Sequence, residues 1–141
     1  MVNKDDPDEA ESTASRLIFR AEQSCSGLLT KLRARGYTKA AATSAVEKLI
    51  EQNLVDDERF ARMWLSARLR KRKVESPRIL QVRLHAKGIP STIAASALET
   101  VLDRDTELDL LRKYIAQSPE TPTKDKLRRE GFSLEAIAES E

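Results

Sequence analysis

Histidine, cysteine, glycine and aromatic residues are scarce in this chain of 141 residues, and each shortage excludes a class of protein. His85 is the only histidine and Cys25 the only cysteine, which excludes an intramolecular disulfide and metal sites built from several such ligands. Four glycines, without a GxxxxGK[ST] or GxGxxG motif, argue against a backbone cradle for phosphates. No serine or cysteine stands at a familiar motif spacing from His85. We therefore expect no enzyme, no metal and no cofactor.

Long apolar runs are also missing. The first residues are acidic and polar where a signal peptide would be basic and then apolar, and no apolar stretch approaches the ~18 residues of a membrane span. A lone cysteine is typical of a reducing compartment. We expect a soluble cytoplasmic protein without a membrane partner. Cys25 is expected to be a buried helical thiol rather than a link in a disulfide dimer, and we expect a monomer.

The patterns that are present are helical. Apolar residues recur at helical spacing, small hydroxyl or acidic residues stand where helices would begin, and Gly36, Gly88 and Gly131 stand where they would end. No alternation of β-branched or aromatic residues and no Asn-Gly or Asp-Gly turn indicates a strand. We predict an all-α protein. Because aromatic residues make up 4% of the chain, we expect several small cores in a row.

One sequence plan occurs three times. Leu32, Leu84 and Leu127 each precede a glycine by four positions, an apolar residue follows the glycine, and a small hydroxyl residue is predicted to cap the start of the next helix. The copies are spaced by about 50 and then about 40 residues, within the range of helical repeat units. We predict a disordered acidic tail over residues 1–12, followed by three-helix repeats over residues 13–55, 56–102 and 103–141, the last with a short final helix.

Residues 54–73, "LVDDERFARMWLSARLRKRK", join an acidic helix start to a cationic end. Asp56 and Asp57 are interpreted as helix caps rather than as an acid and base pair. Ser76 before Pro77 predicts the start of the next helix, and Ser91 is predicted to cap the one after it. The helix predicted within residues 54–73 has an apolar stripe that consists of Phe60, Met63, Trp64 and Ala67. Trp64 in this stripe is interpreted as core rather than as a base-stacking residue.

Eight basic residues fall within twenty positions that contain one acid, Glu75. They are Arg68, Arg70, Lys71, Arg72, Lys73, Arg78, Arg83 and Lys87. On adjoining antiparallel helices they would form a positive surface able to attract phosphates or an acidic protein groove. A solvated face favoured by the helix dipole explains only two or three of them, so we predict a binding surface. Sequence-specific base readout is not expected, because the helices after Gly36 and Gly88 are rich in alanine and poor in Arg, Asn and Gln.

Three segments together resemble the RecX family, the bacterial regulatory proteins of the RecA recombinase. They are "LVDDERFA" at residues 54–61, "LHAKGI" at residues 84–89 and "KLRREGFSLEAI" near the carboxyl end, within a similarity that spans about residues 16–138. Where the family often has a glycine between Lys73 and Pro77, this chain has Val74, Glu75 and Ser76, which predicts a stiffer turn.

The resemblance implies tandem three-helix repeats in an elongated, curved molecule that docks in the groove of RecA filaments on single-stranded DNA. It implies suppression of RecA's ATPase activity, strand exchange and the coprotease activity that triggers the SOS response. The eight cations would then contact RecA or its DNA. Two alternatives stay open: a stand-alone helical module that binds single- or double-stranded DNA without RecA, and a scaffold for an acidic protein partner.

Overall fold

The computed structural model describes residues 2–141, and within them the chain is helical without a strand, which confirms the all-α prediction. The helices of this range are α1 (Pro7–Arg20), α2 (Cys25–Ala34), α3 (Lys39–Glu51), α4 (Asp57–Leu69), α5 (Pro77–Ala86), α6 (Ser91–Val101), α7 (Arg104–Gln117), α8 (Lys124–Arg129) and α9 (Leu134–Glu139). Two compact units emerge. Unit 1 extends to Phe60 and includes Lys87–Ile89, and unit 2 comprises Ala61–Ala86 and Pro90–Glu141. The three repeat boundaries stay a prediction.

The prediction of a disordered tail is wrong for residues 7–12, which belong to α1. Asp6 is the N-cap of this helix, and its side chain accepts a hydrogen bond from the backbone N–H of Asp8. Pro7 occupies the first turn without losing an intrahelical hydrogen bond, and Glu9 adds negative charge at the positive end of the helix dipole. The acidic residues that suggested disorder therefore begin a helix.

Unit 1 is built on α1, α2 and α3, with α1 packed against the other two. The inner face of α3 is made largely of alanines, and such small side chains allow helices to approach closely. Tyr37 is buried beside them, and its hydroxyl shares a 2.7 Å hydrogen bond with Thr13 Oγ1. Ile50, an apolar residue of α3, is 43% exposed.

Unit 2 contains α5 packed against α6, and α9 packed against α7 and α8. Gly131, with φ of +97°, ends the α8 segment in the left-handed conformation that its place in the sequence plan predicts. A Cβ atom at Gly131 would lie 3.1 Å from Pro77 Cβ, so the chain passes close to the start of α5. The neighbouring Glu130 carbonyl accepts a 2.9 Å hydrogen bond from the Arg78 backbone N–H. This contact places the end of α8 next to the start of α5, where the site described below lies.

The buried face of α4 differs from the predicted stripe. Ala61 and Leu65 are buried, whereas Met63 is 45% exposed and Trp64 is half-buried. The Arg68 guanidinium lies 5.5 Å from the centroid of the Trp64 ring. A small and a branched side chain fill the interior, and the amphipathic indole lies at its edge, where a cation can cover it.

Of the four predicted N-caps, Asp56 and Ser76 are confirmed, whereas Ser91 and Asp57 do not cap the helices that they begin. Asp56 Oδ1 accepts hydrogen bonds from the first backbone N–H groups of α4, and Ser76 Oγ accepts a 3.3 Å bond from Ile79 in α5. Ser91 caps nothing, because Pro90 is the N-cap of α6 and makes no side-chain cap bond. Asp57 caps a different helix: its Oδ1 accepts a 2.8 Å bond from the Cys25 backbone N–H at the start of α2.

Candidate polyanion-binding site

One cleft of unit 2, with a volume of about 670 Å³, brings together most of the predicted cations. Its basic lining consists of Arg68, Lys71, Arg72, Lys73, Arg78 and Arg83. Its other walls include Glu75, Ser76, Tyr114 and Glu130. Arg70 is exposed and does not line the cleft. Lys87 belongs to unit 1, where its carbonyl accepts a 3.3 Å hydrogen bond from Ser24 Oγ.

Residues 70–76, here called the basic loop, connect α4 to α5 and carry the strongest unpaired charge of the cleft. Lys71, Arg72 and Lys73 are exposed, and among the described residues no carboxylate lies within salt-bridge distance of them. They follow the carboxyl end of α4, where the helix dipole favours positive charge. These three side chains are available to an anionic ligand.

Glu75 binds two of the cleft's arginines. Arg68 Nε donates to Glu75 Oε1 at 2.6 Å, and Arg83 Nε donates to Glu75 Oε2. The Glu75 side chain is only 14% exposed. Burial opposes its charge, but the hydrogen bonds from Arg68 and Arg83 outweigh that effect, and the pKa of Glu75 lies below its ordinary value. The charge of these two arginines is therefore partly neutralised by a carboxylate of the same unit.

Glu130 forms an ion pair with Arg78, as Glu75 does with Arg68 and Arg83. Its Oε1 accepts a 2.7 Å hydrogen bond from the hydroxyl of Ser76, and its Oε2 accepts a 3.1 Å bond from Arg78 Nε. The Ser76 hydroxyl and Arg78 hold the pKa of Glu130 below its ordinary value despite partial burial. Ser76 is 1% exposed, so the end of the basic loop is fixed inside unit 2.

Gln117, the last residue of α7, holds the middle of the basic loop. Its Oε1 accepts a 3.0 Å hydrogen bond from the Val74 backbone N–H, and its Nε2 donates a 2.9 Å bond to the Arg72 carbonyl. Sequence reasoning missed Gln117, Glu130 and Tyr114 because they follow the loop by roughly 40 to 60 positions and belong to no recognisable motif. These contacts help to set the backbone path of the basic loop.

The aspartates and arginine of the "LVDDERFA" segment have structural roles in unit 1 and do not line the cleft. Arg59 Nε donates to Glu22 Oε1 at 3.0 Å, and its terminal nitrogens donate to the carbonyls of Asn53 and Leu54. Burial and the neighbouring Asp57 carboxylate raise the pKa of the Cys25 thiol to about 12, so this cysteine is not a reactive nucleophile at neutral pH.

Metal and membrane sites receive no support within residues 2–141. No group of three or more His, Cys, Asp or Glu residues in that range is arranged to hold a metal ion. None of its helices combines the length and the apolar character that crossing a bilayer requires. His85 is exposed on α5.

Comparisons with known proteins agree with this architecture. The model of the second three-helix domain of RecX matches residues 56–98. The regulatory protein RecX of Treponema pallidum is 32% identical over 124 residues, which cover 88% of this chain and 70% of that protein. The regulatory protein RecX of Caldanaerobacter subterraneus is 26% identical, with coverage of 96% and 71%.

Among solved structures, the crystal structure of RecX from Lactobacillus salivarius has the same fold. The TM-score is 0.73 at 18% identity, and the similarity covers 95% of this chain and 93% of that one. Together with the sequence relatives, this places the chain in the RecX family, which supports a regulatory role related to RecA.

Proposed function

We propose that this protein binds the RecA filament on single-stranded DNA and suppresses RecA's ATPase, strand exchange and coprotease activities without catalysing a reaction itself. The observation that carries the proposal is the basic loop, on which Lys71, Arg72 and Lys73 are exposed and unpaired while the backbone is anchored. A nucleoprotein filament is a polyanion, and such a loop attracts it without needing a deep pocket.

The cations of the cleft divide into two groups in this proposal. Lys71, Arg72 and Lys73 contact the filament, because an unpaired cation has no protein partner to lose on binding. The paired arginines would have to give up hydrogen bonds to partly buried carboxylates, which is costly. Those arginines are Arg68, Arg78 and Arg83, and they shape the cleft. Arg70 and Lys87 are kept as secondary contacts.

The first test is the steady-state ATP hydrolysis of the cognate RecA on single-stranded DNA, with this protein titrated far below the nucleotide concentration. Inhibition at such levels would mean that the protein acts on the filament. Inhibition only at saturation of the DNA would indicate competition for the strand, and no inhibition would contradict the proposal.

Charge reversal tests the site. The double variant Arg72→Glu and Lys73→Glu should weaken inhibition at least tenfold while leaving thermal stability nearly unchanged, because both side chains are exposed. The matched control reverses Arg35 and Lys39, two exposed cations of unit 1, and changes the net charge equally. Equal inhibition by the two variants would remove Arg72 and Lys73 from the site.

The alternative functions appear as distinct outcomes of direct binding assays. Fluorescence anisotropy with labelled single-stranded DNA should show tighter binding when RecA coats the strand. Equal binding with and without RecA, weakening steeply with salt in both cases, would favour a stand-alone DNA-binding module. Absence of binding to either DNA or filament would favour a scaffold for an acidic protein.

A further inference from the structure

We propose that Gln117 is a positioning residue for binding: its side-chain amide holds the backbone of residues 72–74 in the conformation in which the basic loop meets its anionic ligand. This inference rests on the proposed function of the loop. Gln117 is neither charged nor part of the cleft lining, and it reaches the loop from the far end of α7.

The amide contacts the loop through both of its polar atoms. One atom accepts from the Val74 N–H and the other donates to the Arg72 carbonyl, at 3.0 and 2.9 Å. A donor and an acceptor thus bind the same segment two residues apart, much as a neighbouring strand would. Two bonds to the backbone restrict both peptide units that flank Lys73, whatever the side chains of residues 72–74 do.

The rest of the loop is held by other contacts. At its beginning, the Lys71 N–H donates to the Arg68 carbonyl at 3.1 Å. At its end, Glu75 is bound by two arginines and Ser76 is buried. Within residues 2–141, Gln117 supplies the only side-chain hydrogen bonds to the backbone of residues 72–74. The segment that carries two of the three unpaired cations is therefore ordered by this one residue.

Loss of this anchor should weaken binding without removing charge. A loop that is mobile in the free protein must be ordered when the ligand binds, and that ordering reduces affinity. The cations themselves remain, so the number of phosphate contacts and the dependence of affinity on salt should not change. Removal of a cation has the opposite signature, since each lost contact with single-stranded DNA lowers the slope of log affinity against log salt by about 0.7.

The test uses Gln117→Met in the full chain, because methionine keeps the length of the side chain and removes both hydrogen bonds. We expect about a five- to tenfold loss of affinity for RecA filaments on single-stranded DNA, with an unchanged salt slope and only a small decrease in melting temperature. Limited trypsin digestion should cleave faster after Arg72 and Lys73. Gln52→Met is the matched control, since Gln52 is an exposed glutamine at the carboxyl end of α3 in unit 1.

Unchanged affinity and unchanged trypsin cleavage in Gln117→Met would overturn the inference, and so would a loss of affinity accompanied by a lower salt slope. The variant in which Lys71, Arg72 and Lys73 are all alanine separates this failure from that of the proposed function. If the triple variant binds filaments normally, the loop is not the site. If it binds weakly while Gln117→Met binds normally, the loop is the site and Gln117 does not position it.

Discussion

Ser76→Ala removes one hydroxyl that serves two partners inside unit 2. The hydroxyl donates to Glu130 Oε1 at 2.7 Å and accepts from the Ile79 backbone N–H at 3.3 Å, in a residue that is 1% exposed. Loss of a hydrogen bond to a charged group costs about 1.5–3 kcal/mol, and loss of an N-cap costs about 1 kcal/mol. Because one atom makes both bonds, the costs are not additive, and we expect destabilisation by about 2–3 kcal/mol.

Ser91→Ala is the control for this prediction. Ser91 also stands at a helix start, but it is exposed and its side chain makes no cap bond. Its replacement should change the free energy of unfolding by less than about 0.5 kcal/mol. The measurement is urea unfolding at pH 7 and 25 °C, followed by far-ultraviolet circular dichroism. Equal costs for Ser76→Ala and Ser91→Ala would refute the assignment of Ser76 as a buried link between the basic loop and Glu130.

Three further predictions concern stability. Trp64→Ala should lower the free energy of unfolding in urea by about 2 kcal/mol. This is less than the roughly 3–5 kcal/mol expected for a fully buried tryptophan, because the ring is half-buried. A decrease above about 4 kcal/mol would contradict this prediction. Gly131→Ala should destabilise the protein by about 1–2 kcal/mol more than Gly36→Ala. Both glycines have positive φ, but a Cβ atom at Gly131 would lie 3.1 Å from its nearest neighbour, at the start of α5, whereas the nearest atom at Gly36 would be 3.8 Å away. Folding lowers the pKa values of Glu75 and Glu130, so both carboxylates stabilise the protein above the ordinary pKa of 4.5. This contribution is lost as the pH falls through the lowered pKa values. A urea midpoint that rises on acidification below pH 4.5 would contradict this prediction.

Much of the helical architecture was predictable because its signals are local. Gly36, Gly88 and Gly131 all have positive φ, as expected of residues that end helices. The Ser76 and Asp56 caps were also predicted, because a cap bonds to the backbone only two or three residues away. The prediction of a disordered tail was wrong because it rested on the acidic composition of residues 1–12, although Asp6 followed by Pro7 is a strong helix start.

The buried face of α4 was predicted less well. Phe60, Met63, Trp64 and Ala67 stand at helical spacing, and that spacing assigned them to the core. The structure instead buries Ala61 and Leu65, which lie four positions apart on one face of the helix. Helical periodicity shows which residues share a face of the helix, but it does not show which of two overlapping faces packs against the rest of the protein.

Most of the helices, several of their ends and the clustering of eight cations could be predicted from the sequence, because they depend on residues within a few turns of one another. Which of these cations remain unpaired follows from the fold of unit 2. Glu75 and Glu130 pair with three arginines, and Gln117 orders the segment between Arg72 and Val74. Two of these partners, Glu130 and Gln117, reach the loop from more than 40 positions away along the chain, where no periodicity or motif relates them to it. Their contacts exist because the packing of unit 2 places α7 and the end of α8 against the loop and the start of α5.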